Sequence, residues 1–521
     1  MTADVLGQEV IDRIGMPKDA WEIAAQLEVM GLRDEDARNR YAALDLFELA
    51  RVIDRRFRAG VYPFVVEGED PVPHRNRVLR FLRRYLAGIV FAMPMALQAA
   101  TMLLWGYGIW GAVDLELTQG SAIALGFIAS YIVAGGFSQS IVRRGLFYIY
   151  QKEEVLARWA AMRGWWIACR TMLALLVPAL LANALFRILP WSMVIVAAAF
   201  YAGLGVLWLN WALIYLVRKS HWFVIVTALA LGAVLFAGKV LHLAPIVANV
   251  VGVVTADVLS FGAGWWQLRR MSRGRAEPVN PPRLVVLVYS TSRYFVYGLL
   301  FNAFLFADRV IAWTTPVGRQ DFPPYPFWLS VRYELAMDLA LVVAIVMSGV
   351  VAVTIERFSE ELIPMEKQTR SDAVRDFIKA NRGIGRRNTY WLVVAAVVAA
   401  AAAVAVFAAL QRVANPVLHE ALMARPTMAV FAAATIGYVF FMFAVRNLLL
   451  LLTISRVQDA VRSVAIAFVV NVVAGFVCSR AFHYAAAVAG MVAGSVVMML
   501  VAGRAVRRTL DDLDYHYFAA F

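Results

Sequence analysis

Residues 389–411 read TYWLVVAAVVAAAAAVAVFAALQ, twenty-three positions without a charged side chain. Coiled as an α-helix, such a run is about 34 Å long at 1.5 Å per residue. That is enough to cross a hydrocarbon core of about 30 Å. Working outward in both directions, stretches of the same kind occur at 85–110, 119–142, 164–186, 191–217, 221–240, 244–267, 284–313, 327–355, 428–454, 459–478 and 482–503, about twelve in all. The links between them are mostly short. The expectation is an all-α polytopic membrane protein of about twelve transmembrane helices, built to carry something across a bilayer.

The composition agrees with that class. Of 521 residues, 62 % are hydrophobic and 17 % charged, against about a quarter charged in soluble domains. The net charge of +14 does not indicate nucleic acid. Its arginines flank apolar segments, the pattern of a cytoplasmic membrane face, and no basic face carries the aromatic platforms that bind single strands. Cys169 and Cys478 both lie in apolar segments without metal-ligand neighbours, so neither a disulfide framework nor a metal site is expected. No cofactor is expected. The chain lacks GxxxxGK[ST], HExxH and GxSxG, which argues against an ATPase and against the hydrolases those motifs mark. The opening MTADVLGQEVIDRIG has acidic residues early and no apolar core, so a cleavable signal peptide is not expected. The Arg-, Ala- and Val-rich composition is associated with GC-rich bacterial genomes.

Residues 1–81 read as a small cytosolic helical region. Ala20, Trp21, Ile23, Ala24, Leu27 and Met30 recur at helical spacing, with Gly31 as a stop, and so do Leu46, Leu49, Ile53 and Phe57. A turn-rich run at 67–73 leads to His74 and the basic stretch RNRVLRFLRR at 75–84. That stretch reads as an anchor on anionic headgroups, or alternatively as a docking face. Flanking charge sets the orientation. The link after the sixth span carries Arg269, Arg270, Arg273, Arg275 and Arg283 against Glu277. The link after the second carries Arg143, Arg144, Lys152, Arg158 and Arg163 against Glu153 and Glu154, whereas the first has Asp114 and Glu116 and no cation. Arg504, Arg507 and Arg508 follow the twelfth span, so both termini are expected in the cytoplasm. The insertion at 356–388 reads as cytoplasmic surface helices. A Pro-rich linker at 276–283 divides the bundle into a first six-helix half, 82–275, and a second, 284–510, followed by a cytosolic tail at 511–521. Two six-helix halves are a common plan for alternating access.

Ionisable groups inside spans cost at least about 2.5–3.5 kcal/mol at the bilayer centre and normally face a cavity or a partner. Asp257, Arg293 and Arg446 are the deepest, and with Asn302, Asp338 and Asn447 they are candidates to line a substrate path. Asp308 with Arg309, and Arg332 with Glu334, read as ion pairs that set helix register or gate the path. Glu334 and Asp338 share a face at i,i+4. Gly490 and Gly494 read as helix packing.

Around the seventh span the sequence becomes recognisable. YGLLFNAFLFADRVIAW at 297–313, with Asp308, Arg309 and Trp313, resembles the Pel exopolysaccharide exporter (PelG-like) family at the place where an apolar helix ends in an Asp-Lys/Arg pair, an aliphatic run and Trp. SYIVAGGFSQSIVRR at 130–144, with Gln139 and Arg143, is similar to the same family, and so is LDYHYF at 513–518, with Asp514 and Tyr515. That family belongs to the multidrug/oligosaccharidyl-lipid/polysaccharide flippase superfamily. The resemblance implies two six-helix halves around a central cavity and export of a polysaccharide or lipid-linked glycan across the bacterial cytoplasmic (inner) membrane. It also implies as partners the lipid bilayer, the glycan polymer or lipid-linked glycan, a cytoplasmic glycosyltransferase and other inner-membrane synthase subunits. Residues 1–81 are a departure from the short family members. Two other readings stand beside the exporter: an ion-coupled small-molecule antiporter of the same superfamily, and a non-transporting scaffold for a glycan synthase.

Overall fold

The structure is a computed structural model that describes residues 3–14, 17, 19–62, 75–90, 92–273, 283–319, 323, 325–368, 374–413 and 416–511. The run at 67–73, His74, all of the 276–283 linker but Arg283, and the motif positions Asp514 and Tyr515 lie outside the described residues.

Four short helices come first: α1 (Ala3–Ile14), α2 (Ala20–Val29), α3 (Asp34–Tyr41) and α4 (Leu46–Arg58). Asp19 and Asp45 cap α2 and α4 by accepting hydrogen bonds from backbone N–H groups of the first turns. Gly31 takes the left-handed conformation, φ +85°, where α2 ends. Leu6, Ile11, Ile23, Leu27, Leu49 and Ile53 close a core made entirely within this segment. Arg56 is ion-paired with Asp4, which joins the last of the four helices to the first.

The helices that follow are α5 (Arg75–Ile89), α6 (Met93–Trp105), α7 (Leu117–Tyr150), α8 (Glu154–Phe186), α9 (Trp191–Leu216), α10 (His221–Leu235), α11 (Pro245–Met271), α12 (Leu284–Trp313), α13 (Val331–Gln368), α14 (Val374–Val413), α15 (Pro416–Met423), α16 (Arg425–Thr453), α17 (Val457–Ala481) and α18 (Val488–Asp511). Among the described residues, eleven helices are long and apolar enough to cross a membrane, or twelve if α5 and α6 form one span. The chain divides into two compact units: Met1–Arg83 with Val353–Trp391 and Arg507–Phe521, and Arg84–Ala352 with Leu392–Val506.

Two expectations from the sequence need correction. The stretch 85–110 is not one straight helix. Its two helical pieces, Val78–Ile89 and Met93–Trp105, are bent by 65°, with Pro94 in the first turn of α6, where its missing N–H costs nothing. The chain then makes a two-residue ribbon, β1 (Tyr107–Gly108) against β2 (Gly111–Ala112), held by Asn249 Nδ2 donating to the carbonyls of Gly108 and Gly111 at 2.6 and 3.1 Å. Second, 356–388 is not a set of separate surface helices, because α13 runs on to Gln368 and α14 starts at Val374. Mixed charges at helical spacing extend an existing helix as readily as they form a new one.

α12 is packed between α7 and α17. Against α7 the approach is set by glycine: a Cβ added at Gly298 would overlap the carbonyl oxygen of Gly135, and one at Gly136 would press on Phe295. At that spacing Asn302 Nδ2 donates to the Tyr131 carbonyl at 2.9 Å. On the other side, Asn471 Nδ2 of α17 donates to the Phe304 carbonyl at 3.0 Å, and Gly494 of α18 lies against both Phe304 and Asn471. Gly490 and Gly494 thus sit where a helix must approach closely.

Gly298→Val is therefore expected to lower stability by about 1–3 kcal/mol, the range for overpacking, read as a lower thermal midpoint of the detergent-purified protein. Gly232→Val, with open space around its Cβ position, should leave that midpoint nearly unchanged.

Candidate functional site

The seventh and eighth spans bring four ionisable groups together. On α13, Glu334 and Asp338 are one turn apart on one face, and the guanidinium of Arg309 on α12 reaches both. Arg309 Nη1 lies 3.0 Å from Glu334 Oε2, and Nη2 lies 3.4 Å from Asp338 Oδ1. The same Nη2 is 3.5 Å from the Tyr438 hydroxyl of α16, and the guanidinium lies 5.3 Å from the Phe306 ring centroid. Asp308, fully buried, accepts a 2.7 Å hydrogen bond from the Tyr333 hydroxyl.

The sequence pairs these charges differently. Asp308 and Arg309 are not partners, because adjacent residues on a helix point about 100° apart and only i,i+3 and i,i+4 residues face each other. Arg332 and Glu334 are likewise on different faces. Arg332 instead comes within 4.0 Å of Glu420, with both side chains more than half exposed, an arrangement that contributes little. Two carboxylates thus gather at one guanidinium, and a third, Asp308, is held by the Tyr333 hydroxyl. One oxygen each of Asp308 and Glu334, the Arg309 Nε and the Trp313 Nε1 are buried without a protein hydrogen-bond partner. Glu334 and Arg309 are only 18 % and 11 % exposed, but the Asp338 side chain is 58 % exposed. No set of three or more His, Cys, Asp or Glu among the described residues is arranged to hold a metal ion.

Phe306 extends this group toward the first half. Its ring meets Phe127 and Tyr131 of α7 at 5.6 and 5.5 Å, and Tyr131 meets Trp208 of α9 at 5.0 Å. Trp110, in the ribbon, adds to the same cluster through Phe127 at 5.4 Å. Sequence reading missed Tyr333, Tyr438 and these rings. Aromatic residues are common in apolar spans, and nothing in their spacing marks a shared cluster.

The remaining candidates are not part of this group. Asp257 on α11 has one carboxylate oxygen buried without a partner, while its backbone carbonyl accepts from Asn210 Nδ2 at 3.2 Å. Asn302 and Gln139 lie in the α7–α12 contact. Arg143 donates to Ser455 Oγ at 3.3 Å. Arg446 Nη1 donates to Asn447 Oδ1 at 3.1 Å, and Asn447 Nδ2 donates to the Met499 carbonyl at 3.4 Å. Trp313 is buried edge-on to Phe327 at 5.1 Å.

A family model described as PelG, putative exopolysaccharide exporter (EPS-E), matches residues 73–518. No curated protein matches the chain. Among solved structures, it is similar to an outward-facing multidrug resistance MATE family transporter of the MOP superfamily, at 14 % identity over 84 % of this chain and 96 % of that one, TM-score 0.56. It is also similar to a MATE in the straight conformation (13 %, 84 % and 96 %, TM-score 0.55). A third is a MOP superfamily transporter from Pyrococcus furiosus (13 %, 83 % and 96 %, TM-score 0.55). At these identities the likeness shows the two-lobed transporter fold alone.

Replacing Arg309 by Met strands Glu334 and Asp338, which is expected to cost about 3–5 kcal/mol. Adding Glu334→Gln should recover part of that loss. Arg332→Met should change stability by less than about 0.5 kcal/mol. Thermal midpoints of the four proteins check all three, and equal shifts for the Arg309 and Arg332 variants would show that the cluster contributes nothing special.

Proposed function

The chain belongs to the PelG family of exopolysaccharide exporters, and from that membership we propose that it moves a polysaccharide or lipid-linked glycan across the bacterial inner membrane. The movement is alternating access between a first half ending at the 276–283 linker and a second half beginning after it. Both termini lie in the cytoplasm, where a glycosyltransferase and other synthase subunits supply the polymer. The basic links after α7 and α11 support that orientation, since Lys152, Arg158, Arg163, Arg269, Arg270 and Arg273 cluster there.

One observation carries the mechanism. Asp338 lies in a spanning helix with more than half of its side chain exposed, although its neighbours Leu339 and Ala340 are buried. A carboxylate facing lipid at that depth is costly, so its open side faces a water-filled path. The aromatic cluster around Phe306, with Phe127, Trp208 and Phe306 buried in it, reaches from the Arg309 group to α7 and α9. Arg309 is shared between two carboxylates of α13, all three within the second half. Asp257, Arg293 and Arg446 are further path candidates.

Deleting the gene is expected to abolish surface glycan and to leave precursor inside the cell. Complementation with Asp338→Asn should restore membrane insertion, scored by immunoblot of the membrane fraction, but export at least about tenfold less glycan, as loss of a required charge predicts. Unchanged glycan on both sides of the membrane in the deletion strain would overturn the exporter reading.

A further inference from the structure

At the basic end of the same helices, two arginines from different elements converge on one turn. Arg143 is on the face of α7 that meets α12. Its guanidinium lies 5.0 Å from the Tyr294 ring centroid of α12 and donates to Ser455 Oγ at 3.3 Å. The residue before Tyr294, Arg293, points instead to α17. With the Gln458 amide turned so that its oxygen faces the guanidinium, that oxygen accepts from both terminal nitrogens of Arg293 at 2.8 and 2.9 Å. Ser455 and Gln458 bracket the turn between α16 and α17, and Ser455 holds it in the left-handed conformation, φ +60°.

We propose that Arg143 and Arg293 form a binding site for a phosphate group at the α16–α17 turn. Both guanidinium-bearing side chains are exposed, and among the described residues neither meets a carboxylate. The carboxylate of that turn, Asp459, is 2.7 Å from Arg456. Two like charges held on a hydroxyl and an amide gain only neutral hydrogen bonds, whereas an oxyanion between them would gain charge-assisted ones about twice as strong. The bland alternative is snorkelling, in which each arginine runs separately to the headgroups. The geometry differs from that, because one guanidinium lies 5.0 Å from the centroid of the Tyr294 ring and both meet residues of a single turn. A guanidinium fork suits a phosphate, presenting paired N–H donors to its oxygens. That phosphate comes either from an anionic phospholipid or from the phosphate of a polyprenyl glycan carrier. The site makes no assumption about the polymer transported.

The full-length protein in phosphatidylcholine nanodiscs would be titrated with polyprenyl monophosphate and, separately, with phosphatidylglycerol, bound lipid being counted by native mass spectrometry. Wild type should bind saturably, and the Arg143→Gln/Arg293→Gln double variant at least about tenfold more weakly. The Arg143→Lys/Arg293→Lys variant should keep part of the affinity, and Arg170→Gln, on α8, all of it; monodisperse elution of each variant shows that it is folded. Tighter binding of the polyprenyl phosphate identifies the carrier as the ligand, and equal binding of the two identifies the bilayer headgroup. A double glutamine variant that binds both as wild type does, or a wild type that binds neither, overturns the site.

Discussion

Helices in a bilayer gain no hydrophobic free energy by leaving lipid for one another, so their association depends on how closely the backbones can come. Between α7 and α12 that distance is set by Gly135, Gly136 and Gly298, and a single added methyl group at Gly298 would meet backbone. Only at such a separation can Asn302 reach the Tyr131 carbonyl. A side-chain amide bonded to a main-chain carbonyl fixes rotation as well as distance. Asn471 does the same from the opposite flank, through the Phe304 carbonyl. With α12 held on both sides, Arg309 has one azimuth, toward α13.

The spans were legible in the sequence because hydropathy is additive along a helix, and α12 runs over the same residues, 284–313, in both readings. What was not legible required knowledge of a third dimension. Asp308 and Arg309 are neighbours in sequence and look like a pair, yet the partners of Arg309 are 25 and 29 residues away on another helix. The break in the first stretch, at 90–92, shows no composition signal beyond Pro94, since both flanks are equally apolar. The Arg293 contact with Gln458 was invisible for the same reason as the Arg309 cluster: it is made between helices, not along one.

The ionic group on α12 and α13 is unusual in its balance. Buried pairs are weak sources of stability because desolvation offsets their attraction, and two carboxylates on one guanidinium are worse balanced than a pair. Such an arrangement persists where it serves movement or binding rather than rigidity. Residues 6–62, by contrast, make their own core from ordinary aliphatic contacts and lie outside the segment that the family model matches. The membrane part keeps its imbalance in the helices; the short N-terminal helices are conventionally folded.

The bent pair α5–α6 bears on how the protein is made. At 13 residues, α6 is about 20 Å long, too short to span alone. The last turns of α5 find their contacts on α13: the Tyr85 hydroxyl donates to the Val346 carbonyl, 261 residues further on, and Gly88 lies against Gly349. At translation speeds of about 5–20 residues per second, that partner leaves the ribosome some 15–50 s later. An early segment therefore waits, incompletely packed, for a late one.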